Sequence, residues 1–303
     1  MKIATTIEEF YPYVENTAEA VRAYEGTGFK YLDYSFFDSV IKPEKSPLLT
    51  DDWKDHVLKA KETADELGFT FVQAHAPVCE IRGKDAEIGI IATNRSIEAC
   101  EILGIKNMVI HSGFYDDWKR ADGSLAYYKN NEPFFRALIP AMEKHGVNIL
   151  FENSAVSFCP NGLFFPASAE ELNGFVEFMN HPLFGAAWDV GHANLDGRDQ
   201  YKEITELGKN LKAIHVHDNN GKKDQHISPF LGTCDYDAII KGLIDSGYEG
   251  YFTLEANTFF SQNRGDDLNG PLANINLDIK RDAVALMYKI SKYILSAYDI
   301  CEE

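Results

Sequence analysis

Apolar and polar positions along the chain repeat in one rhythm from end to end. Short β-rich runs at 2–7, 31–36, 69–75, 107–111, 147–152, 184–190, 211–217 and 251–256 are each followed by a longer stretch with helical periodicity. The clearest of these stretches are 14–27, 51–67 and 86–103. In the last, Ile90, Ile91, Ile97 and Ile102 recur at near-helical spacing, while Asn94, Arg95 and Glu98 take the other face. Gly28, Gly68, Gly104, Gly146 and Gly247 close helical stretches, as expected where a helix stops before the next strand. Over 279–298, Ala283, Leu286, Met287, Ile290 and Ile294 predict a long amphipathic helix that covers the outside of the fold.

Eight such units in 303 residues leave about 38 residues for each, enough for a strand, a loop, a helix and a second loop. Eight parallel units close into a barrel with no exposed edge. The competing open, doubly wound sheet would carry a glycine fingerprint after its first strand, and positions 5–10 contain no glycine. The expected fold is therefore of class α/β, a single (β/α)8 TIM barrel, with 1–303 forming one catalytic domain.

Composition narrows the partners. Lys and Arg total 29 against 47 Asp and Glu, a formal net charge of -18. A field of that sign repels phosphate backbones, which weighs against nucleic acid and anionic membranes. No run of about 18 apolar residues is present to span a bilayer. The first nine residues hold no apolar stretch long enough for a signal peptide. Cysteines at 79, 100, 159, 234 and 301 are odd in number and form no Cys-x-x-Cys pair. They read as reduced packing cysteines of a cytoplasmic protein.

Side chains two apart on a strand share a face. That places Phe71, Gln73 and His75 together on strand three, and Asn107, Val109 and His111 on strand four. Strand five aligns Asn148, Leu150 and Glu152, and strand six Ala187 and Asp189. Strand seven aligns Ala213, His215 and His217, and strand eight Tyr251, Thr253 and Glu255. Six consecutive strands thus deliver His, Asp or Glu at their carboxyl ends, the face on which barrel enzymes carry their active sites. Each residue alone has a plainer explanation: a hydrogen-bonded structural histidine, or an acid capping the next helix. Converging carboxylates repel one another, however, and a bound cation is the usual remedy. The ligand set chosen on this basis is Glu152, Asp189, His215 and Glu255, with His217 on the same face as an alternative imidazole. Three carboxylates and one imidazole suit one divalent ion, Mn²⁺, Mg²⁺ or Co²⁺; zinc would normally bring more nitrogen.

The segments His75-Ala76-Pro77, Val109-Ile110-His111, Phe151-Glu152-Asn153, Asp189-Val190-Gly191-His192, His215-Val216-His217-Asp218 and Leu254-Glu255 also carry a resemblance. In order and strand position they resemble the xylose-isomerase-like barrel superfamily, particularly its sugar phosphate isomerase/epimerase group. That group is related to ketose 3-epimerases, inosose dehydratases and hydroxypyruvate isomerases, and more distantly to endonuclease IV. The resemblance implies that Glu152, Asp189, His215 and Glu255 bind the metal, and that Glu152 and Glu255 are the acid/base pair. His192 would contact a substrate hydroxyl, with His217 beside it in the substrate site; Asp224 and His226 are assigned to substrate binding or a second metal, and His75 and His111 to substrate hydroxyls or metal. The implied reaction is isomerisation or epimerisation of a small carbohydrate through an enediolate, or dehydration by the same route. A lyase that eliminates from oxidised glycosides is open on the same chemistry. The endonuclease pattern implies instead three zinc ions on His75, His111, Glu152, Asp189, His192, His215, Asp224, His226 and Glu255. Few loop cations (Arg82, Arg120, Lys222, Lys223, Arg264) would be available to hold DNA. A barrel that binds sugar without turnover is a third possibility.

Loop aromatics hint at the substrate. Phe114, Tyr115, Trp118, Tyr127 and Tyr128 follow strand four, Phe158, Phe164 and Phe165 strand five, and Phe259 and Phe260 strand eight. Such rings stack on sugar C–H faces and exclude water; packing of the barrel's loops against one another, or a homo-oligomer interface, would use the same residues. Gly232 stands alone where a phosphate cradle would need a Gly-x-Gly, which favours a neutral carbohydrate.

Overall fold

In the computed structural model, residues 1–36, 46–83, 86–113, 119–158, 166–258, 260 and 275–302 are described. The strands are β1 (Ile3–Thr6), β2 (Tyr31–Ser35), β3 (Thr70–His75), β4 (Asn107–Ile110), β5 (Asn148–Glu152), β6 (Phe184–Asp189), β7 (Leu211–His215) and β8 (Phe252–Leu254). β1 to β7 pair in parallel with their sequence neighbours, and β8 pairs in parallel with β1. A parallel bridge between Val216 and Leu254 joins β7 to β8 and nearly closes the circle. The helices between them are α1 (Thr17–Ala23), α2 (Trp53–Leu67), α3 (Ala86–Leu103), α4 (Ser124–His145), α5 (Ala169–Met179), α6 (Val190–Leu195), α7 (Gln200–Leu207) and α8 (Tyr236–Asp245), with α9 (Leu277–Ser296) last. The chain folds as a (β/α)8 TIM barrel, as the rhythm of its sequence predicts.

Period-two alternation sorts each strand into an outer and an inner face. Outward residues such as Phe151, Phe184, Trp188 and Ile214 join the large core beneath the helices. Phe151 stacks on Phe175 of α5 with ring centroids 4.2 Å apart. Inward residues form layers. Asn148 donates to Asn107 at 2.8 Å near the amino ends of the strands. Val109, Leu150, Ala187 and Ala213 make a separate apolar cluster above them. Two residues further along the same faces stand His111, Glu152, Asp189 and His215. The apolar layer is thus the floor of the site, and its position fixes the level at which the ionisable side chains emerge.

Two helix termini bear on this placement. Gly68 and Gly146 close α2 and α4 in the left-handed region, at φ of 75° and 64°, where a side chain would be strained. Each lets the chain turn directly into the next strand. Helical faces depart from expectation at two positions. Ile91 and Leu286 are both 47% exposed, because the buried faces of α3 and α9 centre on Ala92, Ser96 and Ala99, and on Val284, Met287 and Leu295. Small side chains let α3 pack closely, so the larger Ile91 points to solvent.

Among the described residues, no helix is long and apolar enough to cross a membrane. Phe114, Tyr115, Trp118, Cys159, Phe164, Phe165, Phe259 and Arg264 lie outside the described residues.

Candidate active site at the carboxyl end of the barrel

Ligand atoms of Glu152, Asp189, His215 and Glu255 all lie within 4.8 Å of one another. Glu152 and His215 end β5 and β7, and Asp189 ends β6. Glu255 follows β8, its amide donating to Val216 O at 3.0 Å, so the closing bridge of the barrel also places this carboxylate. Nδ1 of His215 is 2.5 Å from Oε1 of Glu152 and 3.6 Å from Oε2 of Glu255. The two imidazoles of β7 divide at this point. His215 belongs to the carboxylate group, whereas His217 groups with His192, Asp224 and His226. His217 still touches the first group, with Nε2 3.1 Å from Oδ1 of Asp189.

Asp189 has two tasks. Its Oδ1 caps α6 by accepting the His192 amide at 2.6 Å, the plainer role open to a strand-end acid. Its Oδ2 is buried with no hydrogen-bond partner among the described residues, and so is Oε2 of Glu152. Asn153 holds the segment in place: Oδ1 accepts from Asp189 N at 2.6 Å, and Nδ2 donates to Asp189 O at 2.9 Å. Buried carboxylate oxygens without donors are costly, and a cation held between them would remove that cost. The donor set, three carboxylates and one imidazole, fits an oxygen-preferring divalent ion.

The remaining histidines surround this group. His75 and His111 each bring Nε2 to 3.4 Å from Oε2 of Glu152, close enough for charge attraction without hydrogen-bond alignment. His75 Nδ1 donates to Ala76 O at 2.8 Å, which leaves Nε2 facing the carboxylate. His192 Nδ1 donates to Asn153 O at 2.9 Å, and its Nε2 lies 3.7 Å from Asp224. His226 Nε2 is 3.0 Å from Oδ2 of Asp224, and the His217 and His226 rings stack at 3.8 Å. All ten residues singled out in the sequence therefore meet at one mouth.

Electrostatics follow from this crowding. Burial pushes the Glu152 carboxyl up, but the charges of His215 and His111 and the His215 hydrogen bond hold it well below the usual range. For Asp189 burial is likewise overcome, here by His192 and His217, which hold it at about 2. Burial works against charge on His75 and His226, yet Glu152 and Asp224 respectively raise them to about 9. His111 is the exception: burial pushes it down to about 4. Without a cation, protonated imidazoles balance the buried carboxylates. Metal binding would exchange those protons for one concentrated charge.

Sequence reasoning missed Asp33 and Glu8, and gave Gln73 its face beside His75 but no role. Asp33 and Gln73 lie on β2 and β3 beneath His215, with Gln73 Nε2 2.9 Å from His215 Nε2. Glu8, just past β1, accepts from Ser35 and from Asn257 at the rim. An acid inside the apolar strand 31–35 was the available signal. Among the loop aromatics, Phe158 reaches the site and meets His192 edge-on at 5.4 Å. Tyr127 and Tyr128 instead sit on the buried face of α4 against Phe175, with centroids 6.0 and 5.1 Å away. Gly232 is also structural. Its amide donates to Asp218 Oδ2 at 3.1 Å, and a Cβ there would come 2.2 Å from Asn219 O.

The chain is thus a TIM barrel with a ring of acids and imidazoles at the carboxyl ends of its strands. The chain belongs to the xylose isomerase-like TIM barrel family, whose model matches residues 21–268. It is 30% identical over 173 residues to protein y4fM of Sinorhizobium fredii, a match covering 55% of this chain and 52% of that protein. The match thus spans about half the length of that curated relative. Among solved structures, D-allulose 3-epimerase from Methylomonas sp. superposes with a TM-score of 0.73 at 16% identity, covering 97% of this chain and 98% of that one. The IOLI protein with a binding zinc atom gives a TM-score of 0.71 at 17% identity, covering 98% and 99%. Likeness at these identities establishes the fold.

Proposed function

We propose that the protein is a divalent-metal-dependent isomerase or epimerase acting on a ketose or a related small, neutral carbohydrate. The observation that carries this reading is the convergence of Glu152, Asp189, His215 and Glu255, with two buried carboxylate oxygens that accept no hydrogen bond among the described residues. Those four residues would hold the ion. When bound, it would polarise a ketone and the neighbouring hydroxyl and so acidify the C–H between them. Glu152 and Glu255 come from strands well separated around the barrel, so they approach a substrate carbon from different sides. One glutamate removes the proton, and the other returns it from the opposite face of the enediolate, inverting the carbon. Return at the adjacent carbon gives an isomer, and loss of a β-hydroxyl gives a dehydrated product. On this reading His192 and His75 hydrogen-bond substrate oxygens. The spent Gly232 amide supports an unphosphorylated substrate. The family and the D-allulose 3-epimerase neighbour agree with this reading.

The test is metal content by plasma mass spectrometry on protein purified without chelator, followed by ketose screening in D₂O. About one Mn²⁺, Mg²⁺ or Co²⁺ per chain, with deuterium entering beside the ketone, is the expected result. Absence of both would overturn the proposal.

A second reading is favoured by one observation: His192, His217, Asp224 and His226 form their own group, and His75, Glu152 and His215 another. It assigns further metal ions to these residues, as in a three-zinc phosphodiesterase. The net charge of -18 opposes it by repelling a nucleic-acid substrate. Two or three zincs per chain together with cleavage of abasic DNA would put it first.

A further inference from the structure

Beneath His215 lies a buried polar pair that the proposed reaction does not use. Asp33, 1% exposed, and Gln73, 3% exposed, point inward from β2 and β3. Gln73 Nε2 donates to Asp33 Oδ2 at 2.7 Å and stands 2.9 Å from His215 Nε2, while Asp33 Oδ2 is 3.5 Å from the same nitrogen. Thr253 Oγ1 donates to Gln73 Oε1 at 3.4 Å from the other side. The amide orientation is therefore determined. Turned over, it would set two oxygens 2.7 Å apart, one of them a carboxylate's. Oδ1 of Asp33 has no hydrogen-bond partner among the described residues. A carboxylate buried at this depth is expensive unless its charge has a use.

We infer that Asp33, acting through Gln73, is a positioning residue for His215. It holds the ring with Nδ1 toward the carboxylates and accepts the Nε2 proton when Nδ1 binds a divalent ion. The inference rests on the metal reading above. With Nδ1 as a ligand, the proton of the neutral imidazole must reside on Nε2. In the observed arrangement the Gln73 NH₂, 2.9 Å away, can only donate to Nε2; once Nε2 carries the proton the two donors repel, and Asp33 Oδ2, 3.5 Å from that nitrogen, is the acceptor in reach. A carboxylate behind a ligating imidazole fixes its tautomer and raises its basicity, and losing such a partner costs roughly 10- to 100-fold in metal affinity.

The experiment compares full-length wild type with Asp33→Asn, reading Mn²⁺ affinity by calorimetry and melting temperature after metal removal. The expected result is Mn²⁺ binding weakened by roughly 10- to 100-fold, with the metal-free melting temperature unchanged or higher because a buried charge is gone. A purely structural Asp33 would lower the melting temperature and leave affinity alone. Should the variant not fold, ¹⁵N-histidine spectra of zinc-loaded wild type read the tautomer directly, and His215 should carry its proton on Nε2. Wild-type affinity in a folded Asp33→Asn, or a zinc-loaded His215 protonated at Nδ1, overturns this inference alone. A wild type that binds neither Mn²⁺ nor Zn²⁺ overturns it together with the metal reading.

Discussion

Nδ1 of His215 lies 2.5 Å from Oε1 of Glu152, although the two residues are 63 apart in sequence. β5 and β7 bring them together because each places its last inward side chain one layer above the Leu150–Ala213 floor. If Glu152 and Glu255 are the acid/base pair, Glu152→Gln and Glu255→Gln should each lower turnover by about 10²- to 10⁴-fold, the usual worth of a positioned proton acceptor. Far-ultraviolet circular dichroism should be unchanged, since an amide fills the same volume. Substantial activity in either variant would remove that residue from the pair.

Most strands could be placed from sequence because two local signals coincide there: period-two alternation and the glycines that stop several of the preceding helices; α5, before β6, ends instead at Asn180. Glu152 terminates such a run and Asp189 lies one residue from the end of its own, whereas His215 and His217 both fell within the run 211–217, and only the structure ends β7 at His215. Asp33 and Gln73 were not legible in this way. Their meaning arises only when curvature brings β2 and β3 opposite β7, a contact with no counterpart in local pattern. For Tyr127 and Tyr128 the structure bears out packing rather than substrate contact, for a related reason. Aromatic composition after β4 resembles a binding loop, but the spacing Tyr127, Tyr128, Phe134, Phe135, Leu138 belongs to the buried face of α4. Periodicity was the better guide there than composition.

Metal removal should cost stability as well as activity. An ion present at 100 times its dissociation constant stabilises the folded state by about 2.7 kcal/mol. For a chain of this size that corresponds to a melting shift of roughly 5 °C. Scanning calorimetry before and after chelator dialysis, with Mn²⁺ added back, measures it. An identical melting temperature in all three samples would mean that no ion is held by the buried carboxylates.

Gly191 is constrained by its neighbour rather than by its backbone. A Cβ there would lie 2.0 Å from Cε1 of His217, a ring already stacked on His226 at 3.8 Å. Gly191→Ala should therefore displace His217 and disturb the Asp189 cap beside it. The expected loss is about 1–3 kcal/mol, typical of overpacking, together with reduced turnover. Urea denaturation checks the first effect, and a variant as stable as wild type would show that His217 has room to move.

Glu9 and Lys280 form a buried ion pair at 2.5 Å, tying the segment after β1 to α9 on the far side of the sequence. Burial pushes the Glu9 carboxyl up to about 6, against the pull of Lys280. The sign follows from linkage. A carboxyl whose folded value exceeds its unfolded value of 4.5 favours folding while protonated and loses that contribution as pH rises through about 6. Relative to Glu9→Gln, wild type should lose about 2 kcal/mol between pH 4 and pH 8. Lys280→Met leaves an unpaired buried carboxylate and should cost about 3–5 kcal/mol at pH 8, with much of it recovered at pH 5, where Glu9 takes up a proton. Combining Lys280→Met with Glu9→Gln removes both charges and should return stability to near wild type at both pH values. Denaturant midpoints for the four proteins at the two pH values complete the test. A Lys280→Met penalty independent of pH would mean that packing of the lysine stem, rather than its charge, secures α9.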